Sequence, residues 1–212
     1  MNKFRKWKAQ KVAEEMLEVL KFKGYDAHYA EDLTEAKEKI LSMIPAGSSV
    51  ALGGSETLSA MDMINTIKNG DYKYFDRYQN IPFEETVEIY RQSMLADFLV
   101  TGTNVLTRNG ELVNMDSSGN RVAGIVFGPK RVIIALGTNK VVDTLEDALK
   151  RLKQIAPMNA KRVGHKVPCN ETGKCMNCEL QASVCNSISI VNSGRKFEGR
   201  ISIIIIAEEI GF

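Results

Sequence analysis

The strongest constraint in this sequence is a strand that runs straight into glycines and on into a helix. Ser49–Leu52 is a short apolar run. Gly53, Gly54, Ser55, Glu56 and Thr57 follow with no spacer, and residues 58–67 carry helical periodicity up to Asn69-Gly70. This order places backbone N–H groups and a helix N-terminus at the carboxyl edge of a sheet. Similar units recur. Residues 3–23 read as an amphipathic helix with Val12, Met16, Val19 and Leu20 on one face and Gly24 as its stop. Residues 25–29 read as a short strand, and Thr34 is the expected cap of a second helix that ends before Pro45. The aromatic stretch 71–83 reads as an irregular loop folded over the site, and residues 84–95 as another helix. Residues 131–136 are a β-branched strand closed by Gly137; Thr144 then caps a helix of roughly three turns that Pro157 closes. Strands alternating with helices predict an α/β fold: an open, mostly parallel sheet with helices on both faces.

The chain is 212 residues long and carries a net charge of only +2, which gives no case for a polyanion partner. Its basic start, MNKFRKWKAQK, reads as a solvated helix face rather than a nucleic-acid arm, and it meets Glu14 and Glu15 with no apolar signal region between. The apolar run at 201–207 is far too short to span a membrane. The expectation is a single cytoplasmic domain over 1–212, with a cysteine-rich segment at 165–187 inserted near the C-terminus. In that compartment four cysteines serve as metal ligands or redox groups more readily than as disulfides.

Two stretches concentrate polar groups where an open α/β sheet presents its ligand site. In the first, Gly53 and Gly54 permit close backbone approach, Ser55 and Thr57 add hydroxyl donors, and Glu56 is a candidate acid or base. The plain alternative is a tight turn with Ser55 as a helix cap. The second spans residues 96–129. An apolar run ends at Gly102, a hairpin follows around Asn109-Gly110, and Asp116-Ser-Ser-Gly-Asn-Arg121 forms a polar bend. Asp116 is a candidate cap or catalytic carboxylate. Arg121 is a candidate bidentate partner for a carboxylate or phosphate, with Asn104, Gly119 and Asn120 around it. Here the plain alternative is an Asp116–Arg121 pair that only fixes a turn. Asn139 and Lys140, after the next strand, are candidates for a further wall. The two histidines, His28 and His165, sit in no hydrolytic motif.

The cysteines are spaced Cys169-x5-Cys175-x2-Cys178-x6-Cys185, with Gly173 at a tight reversal. Four thiols in one compact loop suit a [4Fe–4S] cluster, the preferred reading, with a tetrathiolate zinc site second and four reduced, metal-free cysteines third.

GGSETL at 53–58, TGTNVLTRNGELVNMDSSGNRV at 101–122, FGPKRVIIALGTNKVV at 127–142 and the cysteine pattern together resemble the lactate-utilisation (LUD) domain family over nearly the whole chain. The resemblance implies a fold like that of ribose-5-phosphate isomerases and CoA transferases, with ligands at the strand C-termini. It also implies a role beside iron–sulfur partner proteins in oxidising L-lactate, or a related 2-hydroxy acid, to the keto acid, as an oxidoreductase component. No residue matches the catalytic glutamate of CoA transferases. The expected partners are a small anionic ligand, iron–sulfur proteins and, left open, a second copy of the chain in a homo-oligomer. Two alternatives stand beside this: a stand-alone isomerase or transferase on a sugar phosphate or CoA ester, and a binding module with structural zinc.

Overall fold

The computed structural model describes residues 1–212. Eight helices alternate with ten strands: α1 (Lys3–Phe22), β1 (Asp26–Ala30), α2 (Leu33–Ser42), β2 (Ser49–Leu52), α3 (Glu56–Ala60), α4 (Met63–Asn69), β3 (Lys73–Phe75), α5 (Phe83–Ser93), β4 (Phe98–Gly102), β5 (Val105–Thr107), β6 (Leu112–Asp116), α6 (Asn120–Val126), β7 (Arg131–Gly137), β8 (Val141–Val142), α7 (Leu145–Val163), α8 (Cys169–Thr172), β9 (Ser187–Val191) and β10 (Ile201–Ile206). Six strands form one sheet in the order β1-β10-β7-β4-β2-β3, and every pair in it is parallel. No helix is long and apolar enough to cross a membrane.

β10 explains why this sheet is covered on both sides. Its run Ile-Ser-Ile-Ile-Ile-Ile is buried at every position, as a central parallel strand requires. Side chains alternate, so Ile203 and Ile205 join a core with Ala13, Met16 and Leu20 of α1, while Ile204 and Ile206 join a second core with Ala36 and Ile40 of α2. Val132 and Ile134 of β7 face the first core, Ile133 and Ala135 the second. Each fully buried isoleucine contributes about 1.5–3 kcal/mol.

A smaller sheet, β8-β5-β6-β9, lies beyond the carboxyl end of the large one. Its centre is the hairpin predicted around Asn109-Gly110: Val105 pairs with Val113 and Leu106 with Leu112, and Gly110 takes a positive φ of 84°. One face packs on Ala148 and Leu152 of α7, while Leu106 and Leu112 join the α1 core.

Several local expectations are corrected. Asp32, not Thr34, caps α2, because its carboxylate accepts the Glu35 N–H at 3.0 Å. The helix expected over 58–67 is two helices, broken where Asp62 adopts a left-handed backbone with φ 53°. Residues 71–83 are not wholly irregular; β3 extends the large sheet beside β2. α7 continues through Pro157 to Val163. Proline forfeits one helical hydrogen bond, but Ala148, Leu152, Ile155, Ala156 and Ala160 bury one face of α7 on both sides of it, and that burial outweighs the lost bond. Finally, β9 and β10 are consecutive strand-like runs flanking a turn at Ser193-Gly194, and so expected to be neighbours. They belong to different sheets, β9 pairing with β6 and β10 lying between β1 and β7.

Candidate functional site

After β2 the chain leaves to α3 and α4, on the side of the α2 core; after β4, the adjacent strand, it leaves toward the small sheet and α6, on the side of the α1 core. Neighbouring strands whose chains depart to opposite faces open a crevice at their carboxyl ends, the usual ligand position in an open α/β sheet. A cavity of about 660 Å³ lies there, lined among others by Gly54, Asn104, Asp116, Asn120, Arg121, Arg77, Arg162 and His165.

The glycines divide their work. A Cβ on Gly53 would fall 2.2 Å from the Thr101 hydroxyl, and one on Gly102 2.4 Å from the Ser55 hydroxyl. Both therefore serve the close packing of β2 against β4. Gly54 alone faces the crevice, where a Cβ would lie 3.4 Å from a terminal nitrogen of Arg162. Ser55 caps α3 by accepting the Leu58 N–H at 3.4 Å.

Arg121 is buried, and every N–H of its guanidinium meets a protein acceptor. Nε donates to Asp116 Oδ1 at 2.9 Å, Nη1 to Gly102 O at 3.2 Å and Asn114 Oδ1 at 3.0 Å, and Nη2 to Asn104 Oδ1 at 2.7 Å and Met115 O at 3.0 Å. The other Asp116 oxygen accepts the Val122 N–H at 3.0 Å, capping α6, whose N-cap residue Gly119 has no side chain to do so. Arg121 thus ties β4, β6 and α6 together with its donors already spent, and Asp116 has both carboxylate oxygens engaged. Asn104 belongs to the same frame, and only Asn120 of this group stands at the crevice without a side-chain bond to it.

Lys140 is buried below the crevice. Its Nζ donates to Thr57 Oγ1 at 3.0 Å and to Thr103 O at 3.2 Å, linking the segment after β2 to the segment after β4. Burial lowers its pKa to about 7, the neighbouring Arg121 and Arg151 add to the fall, and Glu56 opposes it. A neutral amine has two N–H groups, enough for these two acceptors. Asn139 turns away, bonding the Gly211 carbonyl and the Ile210 N–H.

Two cations that sequence reasoning did not single out dominate the crevice. Arg162 lies over Gly54, 3.6 Å from Glu56, and burial holds its guanidinium below the usual arginine range. Arg77 stacks on the rings of Tyr90 and Tyr78, at 4.7 and 5.5 Å. Its Nε is closed to solvent and has no hydrogen-bond partner. His165 also lines the crevice, with Nδ1 against the Ala182 carbonyl. Arg162 lies past the proline taken as the end of its helix, and Arg77 in a stretch without periodicity; a basic residue in each was the only available signal.

All four cysteines line a second, apolar cavity of about 500 Å³, with Leu149, Leu152, Met176 and Ile188 among its walls and Lys150 and Lys153 at its edge. None is in a disulfide; Cys169 is buried and Cys185 exposed. Burial raises the Cys169 and Cys185 thiols, and the other cysteines raise them further. No three of them converge on a single ion position. Four thiols around a roomy apolar space, with lysines to offset anionic charge, fit a group several ångströms across.

The model of the LUD domain matches residues 13–206. The chain belongs to the LUD domain family. Among solved structures, this LUD domain protein is similar to a DUF162 family protein from Deinococcus radiodurans, with a TM-score of 0.52, 11% identity, and 93% of this chain and 97% of that one covered. That likeness shows the fold. It also matches eIF2B delta from Chaetomium thermophilum with a TM-score of 0.37 and 14% identity over 56% of this chain and 50% of that one. No curated protein matches it.

Proposed function

We propose that this LUD domain protein binds a small organic anion in the crevice between β2 and β4. It then serves as a component of a lactate-utilisation or related iron–sulfur redox system. The observation that carries the reading is the pair of partly desolvated cations, Arg162 over Gly54 and Arg77 with its unpartnered Nε, around one cavity. A guanidinium offers a planar fork that matches a carboxylate, and partial burial strengthens the pairing. Arg162 binds the carboxylate, Arg77 closes the opposite wall, and the Arg121 frame fixes the loops between them. Glu56, paired with Arg162 at the crevice, is the candidate for proton transfer, ahead of the fully engaged Asp116.

Cys169, Cys175, Cys178 and Cys185 would hold the metal group. One compact loop with a single C-x2-C pair favours [4Fe–4S] over zinc, since zinc ribbons use two such pairs. Such a cluster supplies one-electron transfer when bound. Oxidation of a 2-hydroxy acid to a keto acid releases two electrons and two protons, so an iron–sulfur partner protein completes the reaction.

Two measurements test the reading. Anaerobically purified protein should contain iron and sulfide and absorb broadly in the visible; colourless protein with one zinc would refute electron transfer. In a thermal-shift screen, L-lactate or pyruvate should stabilise the protein. Stabilisation by sugar phosphates or CoA alone would replace this reading with an isomerase or transferase.

A further inference from the structure

The anion crevice and the cysteine cavity share a wall. Met115 and Val184 line both. Along the chain, Ala182 lines the crevice, Ser183 the cysteine cavity, Val184 both, Cys185 the cysteine cavity and Asn186 the crevice. This short stretch is therefore a partition one residue thick, with alternate side chains on its two sides.

Its anchorage is on the crevice side. The Asn186 N–H donates to Asp116 O at 3.0 Å, and its Nδ2 donates to Ser117 O at 3.2 Å and Ser183 O at 3.0 Å. The Ser117 hydroxyl donates to Ser183 O at 3.0 Å. Ser117 and Asp116 belong to the bend that holds Arg121. Met115, the other shared residue, is fixed by Asn104 Oδ1 through its N–H and by Arg121 through its carbonyl. Anything that moves Cys185 moves Asn186, and with it the bend on which the crevice is built.

We infer that Asn186 is a positioning residue that couples the two cavities, so that an anion in the crevice and a metal group on the four thiols each strengthen the binding of the other. The inference rests on the anion reading proposed above. Coupling of binding is reciprocal: the factor by which the metal tightens the anion equals the factor by which the anion tightens the metal. Electron transfer need not occur for the coupling to operate.

The test uses the full chain with its thiols reduced and metal-free, and reads the rate at which a chromogenic disulfide reagent modifies the cysteines. Pyruvate, L-lactate and inorganic phosphate are the probes, with thermal shift in the same samples reporting binding. The expected result is that the anion which raises the melting temperature also slows modification of the Cys185 thiol several-fold. At anion concentrations that saturate each variant by thermal shift, Asn186→Ala should abolish the slowing and Asn186→Ser should restore part of it. An anion that stabilises the protein and leaves the thiol rate unchanged overturns the coupling alone. If no anion shifts the melting temperature, the crevice reading fails and the coupling falls with it. With the metal group restored, the melting shift at a fixed anion concentration should grow; an equal shift with and without metal also overturns the inference.

Discussion

Lys140 donates to the Thr57 hydroxyl of α3 at 3.0 Å and to the Thr103 carbonyl at 3.2 Å from a position closed to solvent, joining the segments that leave two adjacent strands in opposite directions. With a folded-state pKa of about 7, the native amine is neutral where the unfolded chain still holds its proton. The sign follows: between about pH 7 and the ordinary lysine range near 10.4, the unfolded state binds more protons, so this site's contribution to stability rises with pH. Below pH 7 both states carry the charge and the contribution is at its lowest. The stability difference between wild type and Lys140→Met should rise by about 1.4 kcal/mol per pH unit across that window. Denaturant unfolding at several pH values measures it, and a flat difference would refute the buried neutral amine.

Arg121 is the hub of the buried frame. Arg121→Met leaves the Asp116 carboxylate without its partner and should cost about 3–5 kcal/mol in denaturant unfolding. Arg121→Lys should recover only part, because an ammonium cannot reproduce the planar fork that reaches Asp116, Gly102, Asn104 and Asn114 together. Full recovery by lysine would mean that charge alone is at work.

On the anion reading, Arg162 and Glu56 should act on the ligand with opposite signs. Arg162→Gln should weaken binding of the stabilising anion by about tenfold or more, the loss of one charge-assisted hydrogen bond. Glu56→Gln removes a negative charge 3.6 Å from Arg162 and should tighten the same anion. Titration calorimetry on the two variants reads both effects. If Glu56 also moves a proton during turnover, E56Q will bind well and turn over poorly.

At α2 the two candidate caps can be separated. Asp32→Ala removes the side-chain acceptor of the Glu35 N–H and should cost about 1 kcal/mol. Thr34→Ala, within the helix rather than at its cap, should stay within about 0.5 kcal/mol. Thermal unfolding of both variants under one set of conditions decides between them.

The parallel core was legible at β7, because a strand buried on both faces must be apolar throughout and the run from Val132 to Leu136 records that directly. The polar bend at 116–121 was legible as a special region, and its plainer interpretation, an Asp116–Arg121 pair that fixes a turn, is present in the structure. Less of the crevice could be read. Periodicity reports which residues are buried, not what they are buried against, so 188–191 and 201–206 look like neighbours although they enter different sheets. Pro157 signals a helix end only if its lost hydrogen bond decides the matter, and the buried face of α7 decides otherwise, carrying Arg162 to the crevice unseen. Arg77 depends on two tyrosine rings brought beside it by folding, which no local pattern encodes.

The small sheet is assembled from three separate excursions of the chain. β5 and β6 leave between β4 and β7, β8 follows β7, and β9 is placed just before β10. Asp116 finds Ser187 across roughly seventy residues, and that closure fastens the wall of the crevice, not the centre of the molecule. β9 is an edge strand paired with β6 alone and is partly exposed along its length, whereas β10 is buried at every position between β1 and β7. Native-state hydrogen exchange should find the amides of β9 trading with solvent well ahead of those of β10. Mildly damaged copies of this protein would then keep their overall shape and lose the proposed anion site, so a folded sample is no guarantee of a competent one.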